Sequence, residues 1–480
     1  MSSPGRYLQL VDGEISVPGE DLGGVLENPS DESELGPMRA SSADSVERAL
    51  AAATAAWEEG SWSELPGEQR IAALERFAAA LEPRAEEVAL LDTIDSGVPL
   101  AVMRLFAGSL ADTVRGATAA YAAAGDSQPL AADGRRVEVL RLPWGPAVLL
   151  TPWNAPSGAA IGKLASALVA GCPTILKPSE FAPSFAQVFA EAALEAELPP
   201  GALQIVHGDA GVAARLVGDS RVRAIALTGS QAAGRAVAAA AAVRMAALQL
   251  ELGGSNAAVV AADADVAAAA AGLADGVAKL NGQWCEAPRR VFVPRELHDE
   301  LRDALLADLG ARPIGAAEEE GTAIGPLAHR GHFERVRAQA AALGGEAAAS
   351  AEPPAGPGFY FSPLVVTGAS PESAAEEIFG PVITLHSVAD EREAVALANA
   401  NGDGLAGYVF SSDPERAFAI GRRLHAGEIR IGGSNLVDLA PGSTQSFWGT
   451  SGIGAHGTSQ VLEAFRGSRV IGEEDPGLPF

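Results

Sequence analysis

Between residues 137 and 252 the sequence alternates, element by element, between extended apolar runs and helical ones. "VEVLRLPWGPAVLLTPW" reads as extended, "SGAAIGKLASALVAG" as a helix, "PTILKPS" as a strand and "PSFAQVFAEAALEAE" as a helix. "LQIVHG", "VRAIALTGS" and "MAALQLELGG" follow as strands, with the helices "AGVAARLVG" and "AAGRAVAAAAA" between them. Strands separated by helices of about 10–15 residues must pair in parallel, because each helix carries the chain back to the same end of the sheet. The strands end in Thr-Pro, Lys-Pro-Ser, His-Gly and Thr-Gly-Ser. These polar turns belong at the carboxyl edge, where open α/β sheets take ligands. A second α/β stretch runs from "NAAVVAADADVAAAA" to about residue 430, with a surface loop expected over 347–361. Upstream, residues 43–90 read as two amphipathic helices, the second being "PGEQRIAALERFAAALEPRAEEVALL".

The chain has 480 residues, 48% hydrophobic and 20% charged, enough for two or three domains with a sizeable core. Its net charge of −27 repels polyanions, which argues against nucleic acid and anionic membrane surfaces as partners. No run of ~20 apolar residues suggests a membrane span, and "MSSPGRYLQLVDGEISVPGED" lacks the pattern of a signal peptide. Two cysteines, Cys172 and Cys285, give no disulfide framework. A cytoplasmic protein is expected. Residues 125–143 read as a hairpin around Asp133-Gly134 with no evident sheet of its own, and therefore as a candidate for pairing across a subunit boundary.

Several polar residues fall where that sheet would present them. Gly229-Ser230 follows a strand and opens a helix; such a turn is either an anion site, with free N–H groups at the positive dipole end, or a plain strand–helix turn. Lys177 and Glu180 in "LKPSE" suit the two hydroxyls of a ribose, or form an exposed salt bridge. Asn154, in "TPWNAP", can donate N–H bonds to a developing oxyanion. Glu251, in "LELGG", ends a strand in apolar company, where a raised pKa would suit a general base. Cys285 lies in "NGQWCEAPRR", a stretch too marked by glycine and proline for a helix interior. A nucleophile, a base and an oxyanion donor would converge on one crevice. His329 and His332 have no third ligand in sight, so no metal site is expected.

Taken in order, "PWNAP", "GCPTILKPSE", "LPPGALQIVHG", "LTGSQAAG", "LELGG", "GQWC", "EEIFGPV", "LANANGDGLAGYVFSSD" and "SGIG" resemble the aldehyde dehydrogenase superfamily over nearly the whole chain. The resemblance implies a Rossmann-type parallel-sheet cofactor domain (1–124 and 144–252), an α/β catalytic domain (253–453) and oligomerisation segments (125–143 and 454–480). It implies NAD as cofactor, an aldehyde as substrate and a homodimer or homotetramer. Cys285 becomes the nucleophile, Asn154 and the Cys285 N–H the oxyanion donors, and Glu251 the base that hydrolyses a thioester. Thr151, Pro152, Trp153, Lys177, Ser179, Glu180, Gly208, Gly229, Ser230 and Leu252 become dinucleotide contacts. Glu377 is assigned to the nicotinamide ribose and Phe379 to the nicotinamide side. Cys172 remains a packed small residue.

The sequence departs from the family pattern in places. Ser255 stands where lysine usually follows "ELGG", and Glu286 follows the nucleophile, where an extended backbone should turn its side chain away from the sulfur. "TQSFWGTSG" shortens a segment that walls the substrate tunnel. Ala155, Ala159 and Gly162 are small at tunnel positions, which points to a bulky or aromatic aldehyde unless Trp284, Phe447 or Trp448 refills the space.

Overall fold

The computed structural model describes residues 7–132, 134–475 and 477. Five parallel strands form the heart of an eight-stranded sheet, in the spatial order Leu203–Ile205, Thr174–Lys177, Ala147–Leu150, Ala224–Gly229, Ala247–Leu252. In chain order that is 3-2-1-4-5, so the direction of winding reverses between Ala147–Leu150 and Ala224–Gly229, opening a crevice at their carboxyl ends. Every residue of Ala147–Leu150 and Thr174–Lys177 is buried, as strands covered by helices on both faces must be. Antiparallel strands close both sides: Gln9–Val11 and Glu14–Ser16 on one, Gly452–Ile453 on the other. The helix Pro156–Ala170 starts with proline at its first position and stops at Gly171, whose φ of 99° ends the helix in a left-handed turn.

The helix expected over the second half of residues 43–90 is interrupted. It runs over Gly67–Leu81, tightens through Glu82–Arg84 and restarts as Ala85–Ser96. Pro83 has no N–H to give an α-helical turn, which places the break there.

A second sheet of seven strands has the order Glu346–Ala349, Leu364–Thr367, Val382–Val388, Pro288–Pro294, Asn256–Val260, Ala406–Phe410, Glu428–Ile431. All its pairs are parallel except the first. The stretch expected as loop from 347 thus begins as an edge strand. The chain passes between the sheets through Gly253 and Gly254, between Ala247–Leu252 and Asn256–Val260. The hairpin expectation holds for the strands Ser127–Leu130 and Val137–Pro143, while Asp133 lies outside the described residues. The hairpin does have a sheet of its own: Val137–Pro143 pairs antiparallel with Arg466–Gly472 of the same chain. Among the described residues no helix is long and apolar enough to cross a membrane.

Candidate active site

The carboxyl edge of the eight-stranded sheet brings together residues that the sequence places far apart. Leu150 is in register with Lys177 on one side and Leu227 on the other, and Thr228 is in register with Glu251. Thr151, Lys177, Thr228 and Glu251 therefore share one rim. Lys177 and Ser179 are buried; the Lys177 ammonium donates to the Pro178 carbonyl at 3.0 Å and lies 3.7 Å from the Glu180 carboxylate. Burial holds this ammonium below the ordinary lysine range against the opposing pull of Glu180 and Asp209, so the pair is no exposed salt bridge. Ser230 caps the helix Gln231–Ala242, accepting from the Ala233 N–H at 3.2 Å, and that helix presents its N-terminal turn at the crevice. Gly208 has φ +144°, and a Cβ there would come within 2.4 Å of Val212. Gly234 leaves space that Leu252 fills, at 2.4 Å from where its Cβ would be.

Cys285 lies just beyond a turn that the backbone alone would not adopt. Leu280, Asn281 and Gly282 all have positive φ, at 49°, 61° and 76°. A side chain on Gly282 would meet the Pro381 nitrogen at 2.1 Å. Buried groups from distant elements hold this conformation. Asn281 donates to the Gly97 and Pro326 carbonyls at 2.7 and 2.8 Å and accepts from the Gly325 N–H at 2.6 Å. Arg289 donates to the carbonyls of Gly282 and Trp284 at 3.1 and 3.0 Å, and Asn256 donates to that of Cys285 at 2.8 Å. A non-glycine left-handed residue costs about 1–3 kcal/mol, and it persists where surrounding bonds over-determine it. Asn154, buried at the end of the strand Ala147–Leu150, donates through Nδ2 to the Gln283 carbonyl at 2.8 Å. That bond joins the rim of the first sheet to the cysteine loop.

The Cys285 thiol is half-buried, and its pKa stands well above the usual thiol value. Burial is the main cause, followed by the carboxylates of Glu286, Glu251 and Glu377, with Arg289 opposing them. Cys172 is fully buried against the Phe465 carbonyl and pushed up to about 11 by burial, as a packed residue should be.

Glu251 corrects the expectation of a raised pKa. Burial does push it up, but Lys163, His456 and Thr228 together outweigh burial and hold it below the usual carboxylate range. Lys163 Nζ stands 3.2 Å from its carboxylate, Thr228 Oγ1 donates to it at 3.2 Å, and Lys163 also bonds to Thr228. Glu377 behaves in the opposite way. Burial raises it to about 7 despite Arg289 at 3.9 Å, and its Oε1 has no hydrogen-bond partner. A Cβ on Gly253 would sit 2.1 Å from this carboxylate, so any other residue there would have to displace it. An orphaned buried acceptor over a glycine cradle fits the hydroxyls of a nucleotide ribose, and the buried Thr151 hydroxyl on the sheet rim is likewise unpartnered. Phe379 packs edge-on to Trp153 at 5.5 Å, with the Arg289 guanidinium 5.6 Å from its ring. His329 caps the helix Arg330–Ala342, and His332 bonds through Nε2 to the Phe379 carbonyl at 2.7 Å.

On the other side, Ala155, Ala159 and Gly162 are half-buried along the helix Pro156–Ala170. A Cβ on Gly162 would find only Thr113, at 3.7 Å, while one on Gly158 would meet Phe106 at 3.3 Å. Trp284 and Phe447 are buried, whereas Trp448 is 47% exposed and fills no interior space. Ser255 is buried and donates to the Ala374 carbonyl at 2.8 Å, so its position serves packing. Sequence reasoning missed Lys163, Asn281, Arg289 and Phe106. Of these, only Asn281 carries a local signal, as the polar residue before Gly282 in a turn.

The sequence profile of the Aldehyde dehydrogenase family matches residues 24–471. Geranial dehydrogenase of Castellaniella defragrans is 34% identical over 414 residues, covering 85% of this chain and 86% of that protein. The 4-(hydroxymethyl)benzenesulfonate dehydrogenase of Comamonas testosteroni is 32% identical over 457 residues, covering 93% and 94%. Among solved structures, a mutant of aldehyde dehydrogenase C from Pseudomonas syringae in complex with NAD+ and octanal superposes with a TM-score of 0.91, at 30% identity and 98% coverage of each chain.

Proposed function

The chain belongs to the aldehyde dehydrogenase family, and from that premise we propose that this NAD-dependent oxidoreductase turns an aldehyde into its acid through a thioester on Cys285. The observation that carries the reading is the Asn154–Gln283 bond of 2.8 Å, which sets an amide donor beside the cysteine loop while Glu251 stands on the same rim. Cys285 Sγ adds to the aldehyde carbon, and its proton leaves to a base. The Asn154 amide and the Cys285 N–H hold the resulting oxyanion, which costs the site no reorganisation because both donors are fixed. Bound NAD supplies the hydride acceptor. Thr151, Pro152, Trp153, Lys177, Ser179, Glu180, Gly208, Gly229, Ser230 and Leu252 would hold its adenosine and phosphate parts, with Glu377 and Phe379 at the nicotinamide end. Glu251, kept ionised by Lys163, then leaves that ion pair to take a proton from the water that attacks the thioester.

In this reading residues 1–124 and 144–252 form the dinucleotide-binding domain and 253–453 the catalytic domain. Segments 125–143 and 454–480 join copies of a homodimer or homotetramer in a reducing, cytoplasmic setting. The substrate is a bulky or aromatic aldehyde. Ala155, Ala159 and Gly162 are small and half-buried, and a Cβ on Gly162 would meet only Thr113, at 3.7 Å; two relatives are named for geranial and a substituted benzenesulfonate.

One experiment tests the mechanism and the acyl acceptor together. Glu251→Gln should release about one equivalent of NADH per site in a burst and then turn over slowly, because hydrolysis lacks its base. Steady turnover at the parent rate would assign water activation elsewhere, and a burst relieved by added coenzyme A would make a thiol the acceptor. Run on the parent enzyme, a panel from acetaldehyde to benzaldehyde should favour the larger aldehydes in kcat/KM; preference for acetaldehyde would overturn the wide-tunnel reading.

A further inference from the structure

The residue after the nucleophile is a carboxylic acid, and the structure does not let it leave. Tyr408 donates its hydroxyl to the Glu286 carbonyl and Asn256 donates to the Cys285 carbonyl at 2.8 Å, which fixes the backbone on both residues. The Glu286 carboxylate accepts from Gln445 Nε2 at 2.8 Å. Gln445 is itself buried and donates also to the Leu405 carbonyl at 2.8 Å, so the shortened segment of the sequence serves as the anchor. This residue is half-buried and adjacent to the cysteine in the chain, where little water screens its charge.

The surrounding charges make Glu286 the adjustable member of the group. The charges that act on the sulfur are the carboxylates of Glu286, Glu251 and Glu377, and the guanidinium of Arg289, already committed to three backbone carbonyls. Glu251 is neutralised by Lys163. Facing Glu286 are Glu428, in a buried pair with Arg430 at 2.5 Å, and His456, which stands 3.8 Å from Asp438. Burial and Glu428 bring the Glu286 carboxyl to about 7, so it changes charge near neutrality.

We propose that Glu286 is a positioning residue that restrains the nucleophile: its ionised carboxylate, anchored by Gln445, keeps Cys285 a protonated, unreactive thiol in the free enzyme, and loss of that charge releases the thiolate. The device protects a partly open cysteine from adventitious alkylation and oxidation, since only the thiolate reacts. It rests on the reading of Cys285 as the nucleophile.

The test is alkylation of the free enzyme by iodoacetamide, followed by peptide mass spectrometry at Cys285 and by residual NADH formation. Glu286→Gln should react about 10-fold faster than the parent near pH 7.5, because a like charge beside the sulfur is gone. Glu286→Asp should stay close to the parent rate, and the thermal midpoint should be unchanged in both. The parent's own rate should rise with pH, flatten between about pH 6 and 8 as Glu286 ionises, and rise again. This profile decides the matter even if Glu286→Gln fails to fold. A parent profile following one simple ionisation, or equal rates in the parent and Glu286→Gln, overturns the restraint. Alkylation at Cys285 that leaves NADH formation intact overturns the nucleophile itself, a distinct result.

Discussion

On one wall of the cleft, Thr151, Lys177, Thr228 and Glu251 each stand at or beside the last residue of a parallel strand. On the other, Cys285 follows a left-handed turn shaped by Asn281, Arg289 and Asn256, which reach carbonyls and N–H groups in remote parts of the chain. The first wall is local: once the strands pair in register, its side chains are in place. The second is assembled only after the rest of the molecule has packed around it. Changes to the two walls should therefore fail in different ways: the first in cofactor handling and, at Glu251, in hydrolysis of the thioester, the second in forming that thioester at all.

The largest effect should come from the loop wall. Cys285→Ala removes the atom that carries every intermediate, so NADH formation should fall by on the order of 10⁴-fold or more. NAD affinity, read by quenching of protein fluorescence, should be unchanged, because the adenosine and phosphate contacts lie on the other wall and the substitution leaves Glu377 and Phe379 in place. Loss of NAD binding in this variant would mean that the walls are not independent.

Asn281→Ala leaves the nucleophile in place and removes what shapes the turn before it. It strands the Gly97 and Pro326 carbonyls and the Gly325 N–H, at about 1–3 kcal/mol for each unsatisfied group, and puts alanine at a φ of 61°. A displacement of ~1 Å at the sulfur is enough for roughly a 10²-fold loss of rate. The expected outcome is a lower thermal midpoint and about that loss in kcat, again with NAD affinity retained. Parent-like kcat would show that the loop keeps its shape without these bonds.

The difference between the walls also explains which features are legible in the sequence alone. Period and strand-end chemistry mark out the 137–252 sheet, and with it the positions of Lys177, Glu180, Asn154 and Glu251. The ionisation state of Glu251 is not legible, because its partner Lys163 lies on a helix facing a strand, a pairing that depends on tertiary packing. The second-sheet pairing and the union of Val137–Pro143 with Arg466–Gly472 are equally out of reach, since register between distant strands leaves no local trace. Pro83 is the reverse case, a local signal masked by the amphipathic period around it.

Lys163 supports the sheet-edge wall from the helix Pro156–Ala170, bonding to both Thr228 and Glu251, and its removal tests the base on that wall. It holds the Glu251 carboxyl below the usual range, so Glu251 keeps its basic form to lower pH than an isolated glutamate. In Lys163→Met burial acts unopposed by the ammonium, the carboxyl is raised, and the acid limb of the kcat–pH profile should move to higher pH. At the acid end kcat should fall by on the order of 10-fold, short of the roughly 10²–10⁴ that a general base contributes in full. An unmoved limb would mean that the ion pair breaks before hydrolysis begins and leaves no imprint on the rate.

The smallest effect belongs to the sheet-edge wall alone. Lys177 and Glu180 sit together at 3.7 Å, the ammonium buried and the carboxylate half-buried at the crevice. A ribose placed against them would give its 2′- and 3′-hydroxyls to the carboxylate. A 2′-phosphate, at roughly −1.5 to −2 charge, would meet that carboxylate at close range and be repelled. Lys177 attracts the phosphate, but its Nζ is already engaged by Glu180 and the Pro178 carbonyl. The enzyme should therefore favour NAD over NADP by at least about 10-fold in kcat/KM, about 1.4 kcal/mol. Glu180→Thr removes the repulsion and frees Lys177 together, so the ratio should narrow by about 3-fold, mainly through better use of NADP, with the burst and the pH limbs unchanged. Equal use of NADP by the parent enzyme would mean that Glu180 points away from the ribose in the bound state, and the adenosine end of the nucleotide would then have to be placed elsewhere on the rim.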